Sequence, residues 1–149
     1  MIGLFKRIRN IRIGFFKAIH IIFTVVLIVL FQKIITNPTA KDLPTVEINS
    51  CYDGDTCTTT QGERIRLACI NAPELSGEGT ERIRALEAKA YLNYVIAGST
   101  VNIRRITKDY FGRTVAELFK GPINIQEHLV KKGHAIIFKE YANQCGWSK

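Results

Sequence analysis

Residues 46–74 admit few folds. Val46 to Tyr52 and Thr56 to Thr60 are rich in β-branched residues and flank Asp53-Gly54, a hairpin signal because Gly and Asp tolerate positive φ. Gln61-Gly62 supplies a second turn. On the strand that follows, Ile65, Leu67 and Cys69 alternate with Arg64, Arg66 and Ala68, so the apolar set faces one way and the guanidinium groups the other. Ile70 and Asn71 end that strand, and Pro73, with no N–H to donate, stops the ladder.

The rest of the chain adds two helices and two strands. A helix is predicted from about Glu81 to Ala97, with Thr80 as its cap, Glu81 near the positive helix end and Gly98 closing it. Ile83, Leu86, Ala90, Tyr91 and Tyr94 give it an apolar stripe. Thr100 to Ile106 and Thr114 to Phe119 read as strands joined by the turn Lys108 to Arg113. A second helix runs from Ile125 to Lys132: Asn124 and Glu127 have capping-box spacing, two lysines occupy the last turn and Gly133 follows. Five strands with two helices make an α+β domain over residues 46–149, and there is no internal repeat.

Charge is unevenly placed. Lys and Arg exceed Asp and Glu by 21 to 13, yet residues 1–36 carry six basic residues and no acid. Lys6, Arg7, Arg9, Arg12 and Lys17 precede an apolar run from Ala18 to Phe31, broken only by His20 and Thr24. This pattern predicts an N-terminus kept inside and a domain delivered outside, through a signal-anchor within residues 13–36 or a signal segment that is cleaved. The run is short for a spanning helix, but Ile34 and Ile35 extend it if Gln32 and Lys33 snorkel. Residues 37–45, with two prolines, read as a linker. Because the excess charge lies in the leader, a high overall pI is poor support for nucleic-acid binding, and any polyanion site must be local.

Asp53, Asp55 and Glu74 offer oxygen ligands without a histidine cluster, so a bound metal would be a hard ion, Ca²⁺ or Mg²⁺ rather than Zn²⁺. Alone, Asp-Gly is a common turn and Glu after Pro a common surface residue. Their joint placement beside Arg66, whose guanidinium fork matches phosphate oxygens, makes the stretch a candidate metal and phosphate site. His20, His128 and His134 have no ligand spacing, which argues against a histidine-based active site. None of the four cysteines forms C-x-x-C. Cys51 and Cys57 bracket the first hairpin and could face each other, leaving Cys69 for Cys145, but three pairings are open.

From about Val46 to Tyr141 the chain resembles the thermonuclease family, the staphylococcal nuclease-like enzymes. The motifs are Asp53-Gly54-Asp55-Thr56, Arg66-Leu67 leading into Asn71-Ala72-Pro73-Glu74, and Phe111-Gly112-Arg113. The resemblance implies a five-stranded OB-like β-barrel with appended helices that hydrolyses DNA and RNA phosphodiesters with Ca²⁺, with Mg²⁺ or Mn²⁺ as alternative ions. It implies Asp55, Asn71 and the Ala72 carbonyl as metal ligands, Glu74 as general base, and Arg66 and Arg113 as the residues that hold the phosphate. Asp53, Thr56, Asp109 and Tyr141 are supporting positions.

Three departures from the family pattern matter. Asn71 stands where the family usually has Asp, and Phe111 where it has Tyr. The chain also stops at Lys149, where relatives continue into a third helix that packs on the barrel, so an open sheet face is expected unless something covers it. The expected function is an exported or membrane-anchored metal-dependent nuclease, monomeric and without an obligate protein partner. The competing readings are an OB module that holds nucleic acid without cutting it, and a disulfide-stabilised structural domain.

Overall fold

The computed structural model describes residues 20–28 and 40–149. Residues 20–28 are helical with exposed apolar side chains, among them Ile21, Ile22 and Phe23. Among the described residues no helix is long and apolar enough to cross a membrane, and the rest of the expected signal-anchor lies outside them.

Residues 39–149 form one compact unit. Its strands are β1 (Thr45–Cys51), β2 (Thr56–Thr59), β3 (Arg64–Leu67), β4 (Ile70–Asn71), β5 (Thr100–Lys108), β6 (Thr114–Lys120), β7 (Ile123–Asn124) and β8 (Ile136–Ile137), with helices α1 (Gly79–Ile96) and α2 (Ile125–Lys131). Strands β1, β2 and β3 form the antiparallel meander expected of the turn signals. β1 also pairs antiparallel with β5, β5 with β6, and β6 returns parallel to β3. That last pairing closes a five-stranded mixed barrel, an α+β fold of OB-like form. Register breaks in β1 between Ile48 and Ser50, and in β5 between Arg105 and Thr107, supply the bends that closure needs.

The barrel is filled by Ile48, Ile65, Leu67, Val101, Ile103 and Leu118, with Ile125 and Leu129 of α2 packed against them. Gln126 is buried among these, but its amide is satisfied: Oε1 accepts from the Leu118 N–H at 3.1 Å and Nε2 donates to the Ala116 carbonyl at 2.8 Å. Asn124 caps α2 through the Glu127 N–H at 3.0 Å, as its spacing predicts.

Helix α1 buries a face offset from the expected stripe of Ile83, Leu86, Ala90, Tyr91 and Tyr94, of which Tyr91 packs against the core. Ala85, Ala88, Leu92 and Ile96 are buried, whereas Ile83 and Leu86 are about half exposed and Tyr94 is 86% exposed. The reason lies at the hairpin tip. A Cβ on Gly54 would fall 2.6 Å from Ala72 Cβ and 2.8 Å from Ala88 Cβ, so only small residues fit where tip, helix and β4 meet. Neither Asp53 nor Gly54 has positive φ. The glycine is therefore required for close approach, not for backbone freedom. The cap also differs: the helix begins at Gly79 behind Glu78, which makes no side-chain capping bond, and Thr80 lies inside the first turn. β3 ends at Leu67, because Cys69 takes φ 65°, the one positive value outside glycine among the described residues, and turns the chain into β4. Ala68, expected on the arginine face, is consequently buried.

Residues 139–149 pack on one side of the barrel. Two 3-10 turns, Lys139–Gln144 and Gly146–Ser148, bring Trp147 against the core and bury Cys145 completely. Cys51 pairs with Cys57, directly opposite it across β1 and β2, and Cys69 pairs with Cys145. Glu117, 3% exposed, accepts from Trp147 Nε1 at 2.9 Å and Asn124 Nδ2 at 3.0 Å and pairs with Arg104, which donates to the Gln144 carbonyl at 2.8 Å.

The two cross-links close loops of very different length, with sequence separations of 6 and 76. Chain entropy puts their contributions at about 2 and about 4 kcal/mol. In urea unfolding, Cys69→Ser/Cys145→Ser should therefore lose about twice the stability lost by Cys51→Ser/Cys57→Ser. Equal losses would mean that the C-terminal turns are held without the longer link.

Candidate functional site

The site is built where the β1–β2 hairpin tip meets β3 and β4. Asp53 turns its side chain back on the loop, Oδ1 accepting from the backbone N–H of Asp55 at 2.9 Å and of Thr56 at 2.6 Å. This Asx turn makes Asp53 a scaffold for the next acid. Asp55, 5% exposed, points inward: its Oδ2 accepts from the Ala72 N–H at 2.8 Å and lies 3.2 Å from Arg66 Nη2, while Thr56 Oγ1 donates to Oδ1 at 3.3 Å. Burial pushes the Asp55 carboxyl up to about 6, against the opposing pull of Arg66 and the Ala72 N–H; Asp53 and Glu74 add to the rise.

Arg66, expected to project from the polar face of its strand, folds over β4 instead. Nη1 donates to the Leu67 carbonyl at 2.8 Å, and Nη2 to the Ile70 carbonyl at 3.0 Å and Asn71 Oδ1 at 3.2 Å. The carboxylate of Asp55 and the amide oxygen of Asn71 thus converge on one guanidinium nitrogen. Of the five N–H groups that Arg carries, Nε–H and one Nη1–H have no partner among the described residues. Two residues beyond Ala72, Glu74 is exposed on the loop before α1, held by the bond from the Gly77 N–H to its carbonyl at 3.0 Å.

Arg113 arrives from the turn between β5 and β6. Asp109 shapes that turn, Oδ1 accepting from the N–H groups of Phe111 at 3.0 Å and Arg113 at 2.9 Å, and Oδ2 from Arg113 Nε at 2.6 Å. Burial pushes the Asp109 carboxyl up, but the Arg113 side-chain and backbone bonds outweigh it and hold it below the usual carboxylate value. The Arg113 guanidinium sits 5.5 Å from the Phe111 ring centre and reaches Thr56 Oγ1 at 3.5 Å. Arg66 and Arg113 both line an open cleft of about 450 Å³ with Asp109, Phe111, Phe138 and Tyr141.

Glu74 lines a separate cleft with Asn71 and Ala72, whereas most of the other candidate residues gather around Asp55 and the first cleft. Asp55, Asn71, Ala72 and Arg66 are in direct contact, Thr56 links them to Arg113 and Asp109, and Tyr141 borders the cleft. Among the described residues no group of three or more His, Cys, Asp or Glu is placed to hold a metal ion, and an amide, Asn71, stands beside Asp55. Two contributors are not evident in the sequence. Phe138 packs edge-on to Tyr141 at 5.0 Å and is fixed by the bond from its N–H to the Cys69 carbonyl at 2.9 Å. Asn93, on α1, accepts from the Cys51 N–H at 2.8 Å and donates to its carbonyl at 2.9 Å, clamping the base of the hairpin to the helix. The three-residue spacing of Phe138 and Tyr141 is a usable signal for the first. The second has none, since it depends on the tertiary placement of α1.

The barrel is closed and OB-like, and it carries a buried acid, two arginines that share one cleft, and an exposed glutamate on the loop before α1. The family model described as staphylococcal nuclease homologue matches residues 64–147, and the chain belongs to that family. It is similar to "Probable staphylococcal-like nuclease CAN2" of Oryza sativa, 35% identical over 95 residues that make up 64% of this chain and 24% of the relative. An "Uncharacterized endonuclease" of Haemophilus influenzae is 31% identical over 108 residues, 70% of this chain and 58% of that protein. "Endonuclease Htp3" of Saprolegnia parasitica is 32% identical over 98 residues, 59% of this chain and 45% of its own length. The chain thus spans about a quarter to somewhat over half the length of these relatives.

The raised Asp55 carboxyl has a consequence for stability. Its ordinary value is 3.8 and its folded value about 6, so the folded state keeps a proton that the unfolded chain has released. Asp55 therefore favours folding below pH 3.8, and this contribution is lost as pH rises through 6. Without added metal, Asp55→Asn should melt close to the native chain at pH 4 and above it at pH 7, by at most about 3 kcal/mol. A variant that falls further below the native chain as pH rises would mean that the Arg66 ion pair outweighs the cost of burial.

Proposed function

We propose that the chain is a divalent-cation-dependent nuclease that hydrolyses phosphodiester bonds of DNA and RNA. The observation that carries this reading is the convergence of the Asp55 carboxylate and the Asn71 amide oxygen on one positive group beside an exposed Glu74. Two oxygen donors that already share a cation fit a second, harder one. Asp55, Asn71 and the Ala72 carbonyl would hold it, a set of hard oxygen donors suited to Ca²⁺, with Mg²⁺ or Mn²⁺ as alternatives. When bound, the ion supplies positive charge to the scissile phosphate.

The remaining steps belong to the chain's own side chains. The free N–H groups of Arg66, and those Arg113 keeps beyond its Asp109 bond, donate to the equatorial phosphate oxygens as negative charge grows on them. Asp109 fixes the tilt of the Arg113 fork, and the Phe111 ring supports its face. The Glu74 carboxylate takes a proton from the attacking water as its oxygen bonds to phosphorus; the ester oxygen leaves as the P–O bond breaks and is protonated from solvent. Phe111, Phe138 and Tyr141 offer ring faces and edges for a base.

We also propose that the domain works outside the cytoplasm, anchored or released, as a monomer. Five basic residues ahead of the apolar run, no acid in residues 1–36, and two disulfides support such a route. Asn71 favours a second reading, a module that binds nucleic acid and no longer cuts, because the amide contributes no charge to cation binding.

The full chain with Ca²⁺ should cleave single-stranded DNA and RNA, lose this activity with chelator, and lose roughly 100-fold or more in rate in Glu74→Gln and Arg66→Ala. Asn71→Asp should bind Ca²⁺ roughly tenfold more tightly, about 1.4 kcal/mol for one added charge near the ion. Cleavage that persists in Glu74→Gln contradicts the assignment of the base; retention of DNA without cleavage, in the native chain and Asn71→Asp alike, selects the binding module.

A further inference from the structure

The cleft that holds Arg66 and Arg113 is one of two flanking the proposed scissile site. β4 and β8 form a short antiparallel ribbon, Ile70 opposite Ile137 and Asn71 opposite Ile136. Ile70 and, just beyond β8, Phe138 line the first cleft; Asn71 and Ile136 line a second, of about 650 Å³, whose other walls come from Glu74, Arg84 of α1 and His134. The ribbon is therefore a ridge with a cleft on each side, and Asn71, bonded to Arg66, stands on it.

The second cleft has a distinct chemistry. Arg84 is exposed and makes no hydrogen bond or ion pair among the described residues, although the acid Glu81 lies one turn before it and lines the same cleft. The side chain of Glu81 is turned to the loop instead: a Cβ on Gly77 would fall 2.8 Å from its Cγ and 3.0 Å from its Cδ. The His134 ring stacks on Tyr91 at 4.2 Å, and the Tyr91 hydroxyl lies 2.8 Å from His128 Nε2, so this wall is flat and fixed. On the ridge, Ile136 is 68% exposed, a large apolar side chain with little protein over it.

A mononucleotide needs only the first cleft, whereas a polynucleotide continues past the scissile phosphate. With Glu74 and Glu81 on the far side, a second phosphate there meets net repulsion unless one cation receives it, and Arg84 is the unpaired cation in that cleft. We propose that the second cleft is a subsite for the nucleotide on the far side of the scissile phosphate, with Arg84 contacting that nucleotide's next phosphate and Ile136 separating the two bases. An apolar side chain inserted between successive bases unstacks them, which a single strand accepts at least cost. The substrate then lies across the ridge, open at both ends, and is cut internally. This rests on the nuclease reading.

The test compares two substrates on the full chain with Ca²⁺. Thymidine 5′-(p-nitrophenyl phosphate) has one nucleoside and no second phosphate for Arg84 to contact; a short single-stranded oligonucleotide fills both clefts and supplies one. Arg84→Ala should raise KM for the oligonucleotide about tenfold and make the slope of log KM against log salt shallower by about 0.7, the value of one single-strand phosphate contact, while the nitrophenyl ester is turned over within about twofold of the native rate. Arg84→Lys should recover the slope, and Ile136→Ala should weaken only the oligonucleotide. An unchanged oligonucleotide KM and slope in Arg84→Ala, or equal losses on both substrates, overturns the subsite. A native chain that cuts neither substrate overturns the nuclease reading instead, and the same slope difference, read from oligonucleotide binding by fluorescence anisotropy, still decides the role of Arg84.

Discussion

The buried carboxylate of Asp55 is the interaction on which the surrounding structure depends. It joins three segments that are distant in sequence or direction: the hairpin tip that carries it, the β4 segment through the Ala72 N–H, and the β3 strand through Arg66. Burying an acid with one partial ion pair costs folding free energy, and its raised pKa expresses that cost. The small residues around it, Gly54, Ala72 and Ala88, are what allow hairpin, ribbon and helix to approach closely enough to exclude water from it. The site and the packing of α1 are thus one constraint seen from two sides.

A second set of interactions fastens residues 139–149 to the barrel. Glu117 links β6 to the C-terminal turns through Arg104, Asn124 and Trp147, and Cys145 is tied to the bend at Cys69 that launches β4. Because β4 carries Asn71 and leads into Ala72, the covalent link that fastens the chain's last turns also sets the floor of the candidate site. Phe138 reports the same coupling, its N–H bonded to the Cys69 carbonyl.

Much of this was legible in the sequence, for identifiable reasons. The five barrel strands follow from β-branched runs punctuated by Asp-Gly and Gln-Gly turns, and α2 from its Asn124 cap, because these signals are local. Helix α1 was legible as a helix but not in orientation. Its expected stripe runs through Ile83, Leu86 and Tyr94, whereas the buried face is Ala85, Ala88, Leu92 and Ile96, with the small residues where the hairpin tip approaches. Asp55, Arg66, Asn71 and Ala72 come into contact, and Arg113 reaches Thr56. Their interactions were not readable: Asp53 serves its own loop, Arg66 folds onto β4, and Asn93 and Glu117 act through contacts 42 and 30 residues away. Long-range hydrogen bonds of this kind leave no periodic trace.

The central claim is that Asp55, Asn71 and Ala72 form one cation site despite the missing second acid. Calcium titration of the ¹⁵N-labelled chain, followed by NMR, tests it without requiring catalysis. The account predicts saturable shifts centred on the Asn71 side-chain amide and on the backbone amides of Asp55 and Ala72, at Ca²⁺ up to about millimolar, the range of extracellular sites, and their loss in Asp55→Asn. Shifts absent at that concentration, or spread over the exposed acids with the Asn71 amide unmoved, would contradict it.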